Sequence, residues 1–323
     1  MSAPDVSVVV PSWGVAPTLP DLFSALRGQT LDPSRFEVLV VDAGVGGGME
    51  RLQELAQGWD GPTLRLVRGP LPGGPAARRN HGAAEATGAL LAFTDADCAP
   101  DPGWLEAGLE AARAGAEIVQ GVTLPPEGAS VSPFDHHHHL VGETGLYETC
   151  NVFYDRGLFA RLGGFTSRYF DRYLVPFGED VELGWRARRS GARYSFESRA
   201  IVRHAVTRRS AQAQLRYMWQ GRGFPLLARD VPELREAFFY RRFFLSRRTA
   251  SVAAAAAGLL LARRVPPAAA LAIPYVRRMA VDRSVPAESP SERVRQTALR
   301  VASDFTLLAG LLWGSARWRR LVL

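Results

Sequence analysis

The chain of 323 residues contains no lysine, so all 39 of its basic residues are arginines. A P-loop requires lysine in its G-x-x-x-x-G-K-[ST] motif, and this absence therefore excludes the P-loop nucleotide-binding enzymes. Cysteine is scarce too, because Cys98 and Cys150 are the only two, too few for a disulfide framework or a cysteine-based zinc cluster. No G-x-G-x-x-G follows the first apolar run, where Pro11–Gly14 stands instead. A dinucleotide-binding oxidoreductase is therefore disfavoured.

Charge is divided unevenly along the chain. Residues 1–150 hold 8 arginines against 19 acids, a net charge of −11, whereas residues 151–323 hold 31 arginines against 13 acids, a net charge of +18. The acidic front half argues against a nucleic-acid groove there. The basic rear half is typical of segments that bind an anionic membrane surface or a nucleic acid, and charge alone does not separate the two.

Short β-forming apolar runs alternate with stretches of helical periodicity over the first hundred residues. The predicted strands are Val6–Val10, Phe36–Val41, Leu64–Val67 and Leu90–Phe93. This alternation is typical of a doubly wound, mostly parallel sheet with helices on both faces. Farther along, the sequence predicts strands at Glu117–Val122, Leu146–Tyr154, Tyr194–Phe196 and Ala200–Arg203, and a single helix at Gln212–Leu227.

Two acids follow the predicted strand Leu90–Phe93, at the point where it ends. Asp95 and Asp97 stand one residue apart after Thr94. Because ligands of open α/β sheets bind at the carboxyl edge of the strands, we expect both carboxylates to face a bound substrate. Carboxylates together with phosphate oxygens suit Mg²⁺ or Mn²⁺. A surface turn is the alternative, since aspartate is common after strands.

Further polar and aromatic residues follow other predicted strands or precede a helix. Asp42 ends the strand Phe36–Val41, and Trp13 lies just beyond the first strand. The acid can accept a hydrogen bond from a base or a ribose hydroxyl, and the indole can stack on a base or pack at the strand end. Glu179 and Asp180 lie where a glycine loop enters a predicted helix, a place where acids also serve as caps.

Four consecutive histidines, His136–His139, stand in the middle of the chain. Successive residues of a helix or strand point in different directions, so at most two of the four can ligate one metal ion. We favour a structural role for this run, or a role in an acceptor-binding loop.

Taken together, these motifs resemble those of the inverting nucleotide-sugar glycosyltransferases of family 2, which have the GT-A fold. The resemblance extends from Val6 to about His204 and rests on six pieces in a fixed order, which are Val6–Trp13, Gln29–Leu31 with Glu37–Asp42, Gly74–Gly82 around Arg79 and Asn80, Thr94–Asp97, Gly163–Phe165, and Gly178–Asp180 with Arg186 and Gly191 downstream. It implies a doubly wound, mixed but mostly parallel sheet flanked by helices. The apolar runs beyond it predict a C-terminal α-helical extension.

The resemblance also implies roles for individual residues. The implied donor-binding residues are Pro11, Trp13, Asp42, Arg79 and Asp95, with the indole stacking on the base. The implied ligands of a divalent metal, Mn²⁺ or Mg²⁺, are Asp97, Asp95 and His204. The implied catalytic base is Asp180, with Glu179 as its alternative or as a helix cap.

The implied reaction is metal-assisted, inverting transfer of a sugar from a nucleoside-diphosphate donor to a hydroxyl of a lipid-linked or glycan acceptor, with no nucleic-acid partner. UDP-sugars are favoured because they are the commonest donors in the family. Gly14, Ala43 and Arg78 depart from the usual pattern, which leaves the donor base and sugar open.

Two other functions remain as alternatives. A nucleotidyltransferase of similar α/β fold would need a glycine-rich basic signature after the first strand. Pro11–Gly14 stands there instead and is not such a signature. A non-catalytic membrane-bound scaffold is disfavoured by the presence of Asp95, Asp97 and Asp180 together.

The composition changes beyond the predicted catalytic domain, residues 1–208, which we divide into a nucleotide-binding half (1–98) and an acceptor and catalytic-base half (99–208). In residues 209–323, arginines bound three apolar runs, Thr249–Ala262, Ala268–Val276 and Phe305–Trp313. None reaches the ~20 residues that span a bilayer. The pattern favours in-plane attachment to anionic lipids over a soluble helical subdomain, a dimer surface, or a re-entrant or spanning hairpin. The N-terminus has no signal-peptide pattern, so we expect a peripheral or monotopic protein at the cytoplasmic face of the membrane.

Overall fold

The structure, a computed structural model, describes residues 3–14, 16–71, 73–132, 134–173, 175–281 and 289–323. The chain forms two compact units. The first unit comprises residues 1–129 and 137–206, and the second comprises residues 130–136 and 207–323. The assignment of nucleotide-binding and catalytic-base functions to residues 1–98 and 99–208 stays a prediction.

The first unit is built around one sheet. Its strands are β1 (Val6–Ser12), β2 (Phe36–Asp42), β3 (Thr63–Arg68), β4 (Leu90–Phe93), β5 (Cys98–Pro100), β6 (Ile118–Leu124), β7 (Val152–Asp155) and β8 (Tyr194–His204). They form an eight-stranded sheet in the order β3-β2-β1-β4-β7-β6-β8-β5. The first four in this order run parallel, whereas β7 is antiparallel to both its neighbours and β5 is antiparallel to β8. The sheet is therefore mixed, with a fully parallel half.

Helices cover both faces of this sheet. They are α1 (Leu19–Arg27), α2 (Gly48–Ala56), α3 (Pro75–Glu85), α4 (Trp104–Arg113), α5 (Arg156–Leu162), α6 (Arg168–Tyr173) and α7 (Glu179–Arg189). The alternating side chains of β1 explain the two layers: Val8 and Val10 pack into a core with α1, α2 and α4, and Val9 packs into a core with α3, α5 and α7. Helix α3 lies so close to β1 that a Cβ added at Gly82 would stand 2.6 Å from a Val9 methyl carbon.

The mixed half of the sheet, which contains β5 to β8, differs from the sequence-based expectation. The predicted strand Leu146–Tyr154 is a 3₁₀ turn at Thr149–Asn151 followed by the short β7. The two strands predicted after residue 193 are one irregular strand, β8. Buried Asn151 accounts for the irregularity of β8, because its amide donates to the carbonyl oxygens of Val122 and Ala200 and thereby satisfies backbone acceptors there.

The second unit is helical. It contains α8 (Ala211–Gln220), α9 (Phe224–Asp230), α10 (Leu234–Ala237), α11 (Arg247–Leu261), α12 (Ile273–Val281) and α13 (Pro290–Trp318), with 3₁₀ segments at Gly221–Gly223 and Pro266–Ala272. The single helix predicted at Gln212–Leu227 is thus divided in two by the Gly221–Gly223 turn. The third predicted apolar run is part of the much longer α13.

A buried polar contact joins three helices of the second unit. The Arg248 guanidinium on α11 donates to both carboxylate oxygens of Asp304 on α13, at 2.6 and 2.7 Å, and the Tyr275 hydroxyl on α12 donates to one of them at 2.8 Å. Such a two-pronged ion pair fixes orientation as well as distance. Among the described helices, none combines the length and the apolar character that a bilayer crossing requires.

Candidate active site

The carboxyl ends of β1, β2 and β4 lie side by side, so the loops that follow them converge. Ser12 and Asp42 are partners in the β1–β2 register. The fully buried Asp42 carboxylate accepts hydrogen bonds from the backbone N–H groups of Gly14 at 3.0 Å and Gly44 at 2.6 Å. Asp42 therefore ties the loop after β1 to the loop after β2, a positioning role that the sequence did not reveal.

Trp13 extends from this edge into solvent. Its side chain is 57% exposed, and the Arg78 guanidinium lies 4.9 Å from its ring centroid. This cation–π contact between the buried Arg78 guanidinium and the indole holds the Trp13 ring in place. The structure thus leaves much of the Trp13 side chain accessible for stacking. Pro11, by contrast, is buried within β1 beside Val41 and contributes to the strand end.

Arg79 links two sets of acids that are distant in sequence. The Arg79 side chain is buried, and its guanidinium donates to Asp95 at 2.6 Å and to Glu179 at 3.4 Å. Burial favours a raised pKa for Asp95, but the ion pair and hydrogen bond with Arg79 outweigh it and hold the pKa below its ordinary value. Asp95 is therefore ionised at neutral pH. Arg79 brings the acids after β4 to the start of α7.

Asp97 and His204 meet because the short strand β5 pairs with the end of β8. Cys98 and His204 are register partners, and the Asp97 Oδ1 atom lies 3.6 Å from His204 Nε2. The possible ligand atoms of Asp97, Cys98 and His204 all lie within 4.8 Å of one another. Burial raises the pKa of Asp97, and the neighbouring Asp95 carboxylate adds to this shift, although His204 opposes it. A carboxylate oxygen and an imidazole nitrogen in this arrangement fit a divalent metal such as Mn²⁺.

Asp180 lies in the first turn of α7, next to Glu179. Gly178 precedes α7 with a φ of 111°, a conformation that favours glycine. Burial, reinforced by the neighbouring Glu179 carboxylate, raises the pKa of Asp180 to about 8. Burial also raises the pKa of Glu179, although Arg79 opposes the shift. A carboxyl group with a pKa near neutral pH is suited to take up a proton.

Side chains of α3 and α7 bind the backbone of the turn at Gly163–Phe165. The Asn80 amide donates to the Phe165 carbonyl at 2.7 Å and accepts from its N–H at 2.8 Å. The Arg186 guanidinium donates to the carbonyl oxygens of Leu162 and Gly164. These residues are positioning residues, because they fix α3, α5 and α7 relative to one another and so fix Arg79 and Asp180.

Six of the nine sequence-based site residues fall into two groups with different contacts, whereas Pro11, Trp13 and Asp42 lie at the ends of β1 and β2. Glu179, Arg79 and Asp95 form one chain of ion pairs, with Asp180 beside Glu179, and Asp97 with His204 forms the second group. Sequence reasoning missed three further residues near these groups, which are Arg78, His138 and Glu148. Arg78 was noted only as a departure from the family pattern, and nothing in the sequence paired His138 with Glu148.

Comparisons with known proteins identify the family of the chain. The profile of glycosyl transferase family 2 matches residues 7–173, more than half of the chain. The glycosyltransferase AglE of Haloferax volcanii is 29% identical over 202 residues, which are 59% of this chain and 63% of AglE. The pre-mycofactocin glycosyltransferase of Mycobacterium tuberculosis is 30% identical over 215 residues, which are 62% of this chain and 42% of that protein. The match thus spans less than two thirds of the length of these curated relatives.

Solved structures with the same architecture cover nearly the whole chain. The mannosyltransferase PcManGT of Pyrobaculum calidifontis, in complex with GDP-Man and Mn²⁺, has a TM-score of 0.61 at 20% identity and covers 95% of this chain and 88% of its own. TarS 1–349 of S. aureus, in complex with UDP, has a TM-score of 0.52 at 17% identity. The match covers 98% of this chain and 92% of the TarS chain. The predicted GT-A fold, a mixed sheet flanked by helices, is confirmed. By its sequence and its fold, the chain belongs to glycosyl transferase family 2.

Proposed function

We propose that the protein is an inverting, metal-dependent glycosyltransferase that moves a sugar from a nucleoside diphosphate to a hydroxyl acceptor. The observation that carries this proposal is the arrangement around Arg79, whose guanidinium joins Asp95 to Glu179 beside Asp180. A donor-binding acid and a carboxyl group with a raised pKa are thereby held at one site. Membership of family 2 supports sugar transfer over the nucleotidyltransferase alternative.

In the proposed reaction, the acceptor oxygen attacks the anomeric carbon of the sugar while the bond from that carbon to the diphosphate oxygen breaks. Asp180 takes the proton of the attacking hydroxyl, so the new glycosidic bond forms on the face opposite the leaving group. Arg79 holds Asp95 ionised and orients Glu179. When bound at Asp97, Asp95 and His204, a divalent cation would neutralise charge that develops on the diphosphate.

UDP-sugars are the proposed donors, and GDP-mannose is the second candidate because GDP-Man is bound to PcManGT and UDP to TarS. The test incubates purified protein with Mn²⁺ or Mg²⁺ and a panel of nucleotide sugars, and measures the nucleoside diphosphate released. Release from one nucleotide class, dependent on the metal, is expected. Intact donors throughout, with lipid-linked and glycan acceptors supplied, would contradict the proposal.

The rate should depend on pH through Asp180. Only the ionised carboxylate accepts a proton, and a pKa of about 8 leaves roughly a tenth of it ionised at pH 7. We therefore expect kcat/KM to rise about tenfold per pH unit below 8 and to level off above it. Rates measured at saturating Mn²⁺ from pH 6 to 9 test this, with circular dichroism to show that the fold is unchanged. A flat profile over this range would rule out Asp180 as the base.

We further propose that the second unit attaches the enzyme to the cytoplasmic face of a membrane, near a lipid-linked acceptor. Residues 259–278, here named the apolar surface, expose several large aliphatic side chains, which are Leu259, Leu260, Leu261, Val265, Leu271, Ile273 and Val276. Exposed arginines accompany them at positions 263, 264, 277 and 278. Aliphatic side chains beside arginines suit an interface with anionic lipids, which give the cytoplasmic leaflet its negative surface potential.

Flotation with lipid vesicles tests this attachment. We expect the full chain to float with vesicles that contain anionic phosphatidylglycerol and to float less as salt is raised, because screening weakens the arginine contribution. Leu260→Asp places a charge at a residue that is 68% exposed and should lower the bound fraction about fivefold or more. Val141→Asp is the matched control, since Val141 is 62% exposed but lies in the first unit. Equal binding by both variants would refute the attachment.

A further inference from the structure

His138 is a half-buried residue of the first unit that the proposed reaction does not use. The segment that carries it is anchored beside β6, because Leu140 and Thr123 exchange two backbone hydrogen bonds of 2.8 and 2.9 Å. The His138 ring lies against the His204 ring, with 4.5 Å between the centroids. His138 of the histidine run therefore contacts His204, which lies beside Asp97.

The hydrogen bonds of both rings determine which nitrogen carries the lone pair in the neutral imidazole. His138 Nδ1 lies 2.9 Å from Glu148 Oε2, and His204 Nδ1 lies 2.8 Å from the Ala205 carbonyl oxygen. Because a carboxylate and a carbonyl only accept, each Nδ1 is the protonated nitrogen. The lone pair is then on Nε2 in both rings, the tautomer that metal-binding histidines adopt when a carboxylate or carbonyl holds their other nitrogen.

The two rings also join two groups of possible ligands. The ligand atoms of Asp97 and His204 belong to one group within 4.8 Å, and those of His138 and Glu148 belong to a second group of the same size. Each group includes a buried cysteine as well, but a site of oxygen and nitrogen ligands needs neither thiol. The ring contact between His138 and His204 makes the groups continuous.

We propose that His138 is a further metal ligand, which makes the site of Asp97 and His204 a two-imidazole site, and that Glu148 is the residue that positions His138. The inference rests on the metal-dependent transfer proposed above and adds a metal preference to it. Mn²⁺ is a first-row transition metal that accepts imidazole nitrogen beside carboxylate oxygen, although it binds more weakly than the later metals of its row, whereas Mg²⁺ prefers oxygen ligands throughout. The site therefore selects Mn²⁺ over Mg²⁺.

Electron paramagnetic resonance of the full chain with Mn²⁺ alone tests the proposal without relying on activity. Titration of the free-ion signal should give a Kd for Mn²⁺ about tenfold or more weaker in His138→Ala than in the unmodified chain. The Kd for Mg²⁺, measured by competition, should change less than about threefold, so the preference for Mn²⁺ falls. Glu148→Ala should weaken Mn²⁺ binding less than His138→Ala, and Glu148→Gln, which keeps an acceptor oxygen, should recover part of the loss.

Nitrogen couplings to bound Mn²⁺ provide the decisive readout, because they count imidazole ligands directly. The unmodified chain should show two such ligands and His138→Ala one, while His139→Ala, a change at the exposed neighbour, should match the unmodified chain. His138→Gln provides a second variant if His138→Ala melts at a lower temperature. Unchanged affinity and coupling in both His138 variants would overturn the proposal. If no donor supports transfer but these Mn²⁺ results hold, the proposed function fails and the two-imidazole site stands.

Discussion

Replacement of Asp180 by asparagine is expected to lower kcat about a thousandfold, within the range for loss of a general base, while donor binding stays intact. Asparagine is nearly isosteric and keeps an oxygen that can accept from the Val181 N–H, which lies 2.8 Å from Asp180 Oδ1. The start of α7 should therefore be preserved, but an amide cannot take a proton from the acceptor. Turnover assays, together with calorimetric titration of the donor in the presence of Mn²⁺, measure the two effects separately.

Glu179→Gln is the matched control for this substitution, since it makes the same chemical change one residue earlier in α7. It removes the charge that faces Arg79 at 3.4 Å, so we expect a loss of about tenfold, through orientation rather than proton transfer. If Asp180→Asn transfers sugar at the normal rate and Glu179→Gln does not, Glu179 is the base and our assignment is wrong.

Replacement of Asp97 by alanine is expected to weaken metal-dependent donor binding, with a Kd for donor and Mn²⁺ raised about a hundredfold. The substitution removes the carboxylate that lies 3.6 Å from His204 Nε2 and leaves the imidazole without its acidic neighbour. Because the diphosphate is held through the cation, loss of the cation should weaken donor binding before any effect on chemistry. Titration with Mn²⁺ present and after chelation by EDTA measures this dependence.

Asp101→Ala is the matched control, because Asp97 and Asp101 are acids that lie at the two ends of β5. Asp101 pairs with Arg203 through two contacts of 3.1 Å, away from the Asp97–His204 pair. Its replacement should leave the Kd for donor and Mn²⁺ within about threefold, since this ion pair includes neither Asp97 nor His204. Binding by Asp97→Ala as tight as that by Asp101→Ala would show that the metal does not bind at Asp97.

The parallel half of the fold follows from local sequence pattern. The continuous apolar runs of β1, β2 and β4 are typical of strands buried on both faces, and parallel pairing brings their carboxyl ends to one edge. The convergence of Trp13, Asp42 and Asp95 was predictable on that basis. The role of the Asp42 carboxylate was not, because its partners are backbone N–H groups in loops that have no periodicity.

The other half of the site depends on contacts between residues far apart in the chain. β5 has three residues, too few for a recognisable period, yet its pairing with β8 brings Asp97 to His204. The contact of Arg79 with Glu179 likewise joins residues one hundred positions apart. The family motifs identified most of these residues, but not which of them touch.

The anomeric configuration of the first product tests the central claim, inverting displacement with Asp180 as base, most directly. Nuclear magnetic resonance can follow the sugar released from an α-linked nucleotide donor by transfer to water, recorded before mutarotation mixes the anomers. Direct displacement by an acceptor activated at Asp180 predicts the β anomer as the initial product, and predicts that Asp180→Asn releases almost none. Initial release of the α anomer would contradict the account, because retention requires a different mechanism.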